Sequence, residues 1–123
     1  MNVLSKSGAT VAAVLLFTSI AIAQPVTKLA GDLDGELIEK IWCSSIFFEH
    51  SYAYEEGSEG YNRFDALAFD LDDEIAVTLR RMGWDQDRID DLWVAFDDAS
   101  FDLALEGEAA FEPELEACLA AFD

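Results

Sequence analysis

Cys43, His50, Cys118 and 26 acidic side chains are the groups of this 123-residue chain from which covalent, metal or acid–base chemistry would have to be built. The two cysteines do not form the close C-x-x-C of a dithiol redox site. They also fall short of the four ligands that a structural zinc ion takes. An even cysteine count in an exported chain reads as a disulfide, and two cysteines allow one intramolecular pairing, Cys43 with Cys118. In the chain-entropy model, a bond closing so long a loop is worth roughly 4.5 kcal/mol before strain. Small domains are stable by about 5–15 kcal/mol in all, so such a bond would carry a large share.

His50 is the single histidine, set between Glu49 and Ser51 with no G-x-S-x-G nucleophile elbow anywhere in the chain. A position at a helix surface or a bundle edge accounts for it without catalysis. Glu49 stands amid an apolar run, where a dry environment would make it an acid catalyst. One residue past Phe48, it can equally face solvent. The segment Asp32-Leu33-Asp34-Gly35 has the spacing of the interior of an EF-hand loop. In that register the first and twelfth ligand positions fall on Ala30 and Ile41, which cannot supply carboxylates. Denser acidic runs occur at Asp70, Asp72, Asp73 and Glu74 and at Asp85, Asp87, Asp90 and Asp91. A helix fans such neighbours to different sides, which predicts solvated faces with weak, non-specific cation association. No catalytic, cofactor-binding or metal-binding residue is expected, and the chain is expected not to be an enzyme.

The elements that would position these groups follow from apolar spacing. Residues 1–23 read as a secretory signal peptide: Lys6 in the basic region, an apolar core over 11–22, and Ala21-Ile22-Ala23 before the cut. The apolar run is short for a spanning helix, which needs about 20 residues. Retention as an anchor is the alternative, and periplasmic or secreted localisation is the expectation. Residues 24–33 read as a loose lead-in containing Pro25 and Gly31, and residues 34–123 as one acidic helical domain. Helical periodicity covers 34–56, 62–82, 86–106 and 113–122, with glycines between. Asn62 and Asp85 are placed as N-caps, Pro113 as a first helical residue, and Trp84 with Ile89 as a hydrophobic staple. Glu36 and Lys40 have the spacing of an intrahelical ion pair. No stretch alternates at period two. The fold class is therefore all-α: a small, mostly antiparallel helical bundle of three long helices and one short C-terminal helix. The disulfide fastens the last helix to the first.

A formal net charge of −19, from 7 basic and 26 acidic residues, excludes binding to nucleic acid, which needs a surplus of Lys and Arg. It disfavours anionic membrane surfaces equally. A hydrophobic fraction of 52% is too high for an acidic disordered tail. The aromatic residues crowd the first helical segment. Trp42, Phe47, Phe48, Tyr52 and Tyr54 make it too apolar for one buried stripe, and the excess is a candidate interaction surface. The functional expectation is a non-enzymatic protein-interaction or structural module of the cell envelope, with a protein partner. The alternatives are a small-ligand carrier with an aromatic pocket in the bundle, and an acid-stress chaperone-like protein.

Like-charge pairs at i, i+4, such as Asp70/Glu74, Asp87/Asp91, Asp98/Asp102 and Glu112/Glu116, each oppose the fold by a few tenths of a kcal/mol at low ionic strength, and the net charge adds a general self-repulsion. Raising NaCl from low to moderate concentration should therefore raise the melting temperature followed by circular dichroism. An unchanged midpoint would show that this repulsion is unimportant.

Overall fold

In the computed structural model the described residues are 30–123. The expected export segment, 1–23, and residues 24–29 of the expected lead-in lie outside them. Four helices account for most of the rest: α1 (Gly35–Ser51), α2 (Glu59–Arg81), α3 (Gln86–Leu105) and α4 (Glu108–Phe122). No strand is present among the described residues. The all-α bundle expected from periodicity is the fold observed. None of its helices is long and apolar enough to cross a membrane.

Helix α1 is the centre. It packs most extensively on α2 and also lies against α3 and α4, while α3 touches α4. The sequence explains this placement, because α1 is apolar around most of its circumference. Leu37, Ile41, Trp42, Cys43, Ile46 and Phe47 are all buried. The outer helices each contribute one stripe: Phe64, Ala68, Leu71, Ile75 and Leu79 from α2, and Ile89, Leu92, Phe96, Ala99 and Leu103 from α3. Such a stripe, recurring at threes and fours, is the face a helix buries against a neighbour.

The helix starts show where local chemistry decides. Asp34 and Asp85 each accept a hydrogen bond from the backbone amide three residues on, at 2.8 and 2.9 Å, satisfying a donor that the helix leaves free. Gly83, with φ +93°, turns the chain out of α2 in a conformation that disfavours side chains. Trp84 and Ile89 are both buried around this corner. Arg88 lies over the Trp84 ring at 3.7 Å and reaches Asp32 at 3.2 Å. That contact holds the end of the lead-in against α3. Ala30 and Leu33 are themselves buried, so the last part of the expected loose segment is a turn set into the core.

Four boundaries or pairings differ from expectation, each for a visible reason. Helix α1 stops at Ser51 rather than continuing to 56. The Ser51 hydroxyl donates to the Phe48 carbonyl at 2.6 Å, and the chain then turns so that Tyr54 folds back over α2. Helix α2 begins at Glu59, capped by Ser58 and not by Asn62, so Gly60 lies inside it. A Cβ at position 60 would stand 2.3 Å from the Tyr54 ring; the glycine seats the ring and does not break the helix. Helix α4 begins at Glu108, five residues before Pro113. The proline removes the amide that would bond the Ala109 carbonyl, but Ala109 is exposed and water can serve that oxygen. Lys40, finally, pairs with Glu74 of α2 at 3.3 Å and not with Glu36.

Helix α4 is fixed to α1 twice. Cys43 and Cys118 form the expected disulfide, 75 residues apart in sequence with Cα atoms 5.3 Å apart, and both are buried. One turn before Cys118, the Glu114 carboxylate accepts a 2.7 Å hydrogen bond from the Trp42 indole nitrogen, also buried. Glu114 is 9% exposed, and a carboxylate taken that far from water requires such a partner. Reduction, or Cys118→Ser, should lower stability by about 3–5 kcal/mol in urea unfolding followed by tryptophan fluorescence. A loss under 1 kcal/mol would mean that packing alone holds α4.

Candidate functional site

The five aromatic side chains expected to form one surface divide into two groups. Trp42 and Phe47 are core residues, 7% and 0% exposed. Trp42 turns toward α4 to meet Glu114, and Phe47 packs on Phe64 of α2. They cannot contribute to a surface. Phe48, Tyr52 and Tyr54 remain outside, at 40%, 62% and 40% exposure. Phe48 and Tyr52, one helical turn apart, meet edge to face at 5.3 Å. The candidate surface is thus the C-terminal end of α1 and the turn after it.

His50 sits behind this end among rings. Phe64 meets it edge-on at 4.5 Å, Tyr54 edge-on at 5.4 Å, and Phe111 of α4 lies across from it at 6.2 Å. Burial lowers its basicity; the nearby Glu112 opposes that effect and Arg63 adds to it. The imidazole is half-buried, with one side packed on these rings. Arg63 itself lies over Phe64 at 4.9 Å and pairs with Asp123.

Between the end of α1 and the start of α4 there is an open cleft of about 410 Å³. Its walls come from Glu49, His50 and Tyr52 of the first helix region, Ala104 near the end of α3, and Glu108, Phe111 and Glu112 of α4. Gly107, at φ +107°, forms the corner that lets α4 turn back beside α1. Glu49, singled out in the sequence for its apolar surroundings, is half-buried on this wall. Burial raises its pKa above the ordinary glutamate range, and the charge of Asp97 raises it further.

Sequence spacing gave no sign of a second feature. The neighbouring serines of α1, Ser44 and Ser45, are buried and point to different helices. Ser44 donates to Asp72 of α2 and also contacts the Ala68 carbonyl at 3.2 Å; Ser45 donates to Asp97 of α3 at 2.9 Å. Both aspartates are half-buried. Burial raises the pKa of each, partly offset by the serine bond. Asp72 is raised further by Asp97, Asp73 and Asp65, and Asp97 by Asp98. The charge of Asp97 thus bears on both Asp72 and Glu49. Two consecutive serines in an apolar helix mark where polar partners must come from neighbouring helices. Which of many acids would supply them depends on how the helices pack.

Among the described residues, no group of three or more His, Cys, Asp or Glu side chains is placed to hold a metal ion. Comparison with protein-family models, curated proteins and solved structures found no match.

Asp72, Asp97 and Glu49 each bind a proton more tightly in the folded chain than in the unfolded one. Their contribution to stability is therefore fully present below the unfolded carboxylate pKa values and is lost as pH rises through the raised folded values. Thermal midpoints should rise on acidification from pH 7 toward pH 5. Asp97→Asn, which keeps an oxygen for Ser45, should raise the midpoint at pH 7 and flatten the profile. A variant less stable than the parent at pH 7 would show that the ionised carboxylate is favourable where it stands.

Proposed function

We propose that this chain is an exported, disulfide-stapled helical module that works by binding a protein partner, without catalysis. The observation that carries this reading is the exposed Phe48–Tyr52 pair, with Tyr54 beyond it, next to a carboxylate-lined cleft. Aromatic side chains of this kind are enriched in the cores of protein interfaces. Folding leaves three of them at one end of a helix whose other aromatic residues are internal. The net charge of −19 would steer a basic partner to this surface, chiefly through the association rate at low ionic strength. Export agrees with the reading of residues 1–23 and with a buried disulfide in place of free thiols, and places the module in the periplasm or outside the cell.

A second reading, a protein that serves during acid stress, draws on Asp72, Asp97 and Glu49. Their protonation relieves repulsion inside the bundle, so the fold would tighten in acid. That suits a protein that persists at low pH better than one that must open to expose apolar surface. The third reading, a small-ligand carrier, has less support: the bundle interior is filled by side chains, and the cleft lies at its end.

The partner reading is tested with oxidised protein immobilised in parallel with a Phe48→Ser/Tyr52→Ser variant of unchanged melting temperature. The parent should retain a basic protein from envelope extract, with retention falling as salt rises. The variant should lose at least nine-tenths of it. Equal retention by both would remove the aromatic end of α1 from the interaction.

A further inference from the structure

The cleft at the end of α1 has a chemistry of its own. Its volume, about 410 Å³, lies within the range of small-molecule sites. Three rings, those of His50, Tyr52 and Phe111, line it together with three carboxylates, Glu49, Glu108 and Glu112. No lysine or arginine shares the lining. Arg63, whose charge acts on His50, is engaged with Asp123 and the Phe64 ring. The carboxylates do not converge on a point as ligands of a metal ion would. They share the lining with apolar groups, Ala53, Ala104 and Phe111.

We infer that this cleft binds an elongated organic cation, an alkylammonium or alkylguanidinium group whose chain lies on Tyr52 and Phe111 while its charged ends meet the glutamates. Cations are attracted to ring faces as well as to carboxylates, and an alkyl chain gains from covering apolar wall that a hydrated inorganic ion would leave wet. The same chemistry is offered by a free polyamine and by a lysine or arginine side chain of a partner. The inference concerns the cleft alone: it would stand if the Phe48–Tyr52 surface captured no protein, and partner capture would stand if the cleft stayed empty.

The test is a titration of the oxidised, ¹⁵N-labelled protein at constant ionic strength with spermidine, with a terminally blocked arginine tripeptide, and with Mg²⁺. The expected result is saturable shifts centred on His50, Tyr52, Gly107 and Phe111 for one or both organic cations, and none of that pattern for Mg²⁺. Response to spermidine alone assigns a free amine, and response to the peptide alone a partner's side chain. Tyr52→Leu should weaken binding about three-fold, as loss of one exposed cation–π contact does. Glu112→Gln should weaken it several-fold, and Asp87→Asn, on the far acidic face, should leave it unchanged. Shifts spread over the acidic faces of α2 and α3, the same pattern with Mg²⁺, or no saturable shift at millimolar concentration would each overturn the inference.

Discussion

The attachment of α4 to α1 is the constraint on which the rest of the molecule depends. A helix of 15 residues with a proline inside it is too short and too interrupted to persist alone in water. Its four glutamates add repulsion from an already negative body. The Cys43–Cys118 bond and the Trp42–Glu114 hydrogen bond hold it in place one turn apart. Because they do, Phe111 can close over His50 and Glu112 can face the end of α1. The cleft is thus a product of this attachment, since one of its walls belongs to the helix that has least reason to stay.

The charge distribution sets a second condition. With seven basic residues against 26 acidic, most carboxylates cannot find a cation. The three ion pairs among the described residues, Lys40–Glu74, Arg63–Asp123 and Arg88–Asp32, are all at the surface, where such pairs are worth at most about 1 kcal/mol each. Their value is positional: each joins segments far apart in sequence. The carboxylates that do go inside use neutral donors instead, the Trp42 indole for Glu114 and the two serine hydroxyls for Asp72 and Asp97. A hydroxyl or indole satisfies one oxygen without cancelling the charge. Asp72 and Asp97 accordingly remain reluctant to ionise.

Much of this architecture is legible in the sequence. Apolar residues at threes and fours mark α2 and α3 to within a few residues. Asp85 and Gly83 punctuate their junction as capping rules require, and two cysteines allow a single intramolecular pairing, the one observed. The remainder is not local. Gly60 looks like a helix terminator until the Tyr54 ring is seen resting where its side chain would be. Pro113 looks like a helix start until Gly107 is seen to make the turn. Trp42 and Phe47 look like surface because α1 holds more apolar residues than one stripe needs, but a central helix surrounded by three others has no single stripe. Glu114, Asp72 and Asp97 are three acids among 26, and only the packing of helices distinguishes them from those in solvent.

The sulfur bridge has a topological consequence as well. Residues 43–118 form a covalent ring, with α2 and α3 wholly inside it. An endoprotease that cuts once at the exposed turn after α1, or at the corner between α2 and α3, opens this ring but releases no fragment, because the two pieces stay joined through Cys43 and Cys118. In an oxidising compartment shared with proteases, a single nick would leave every helix still tethered to the others. Both pieces would keep the means to find their former contacts.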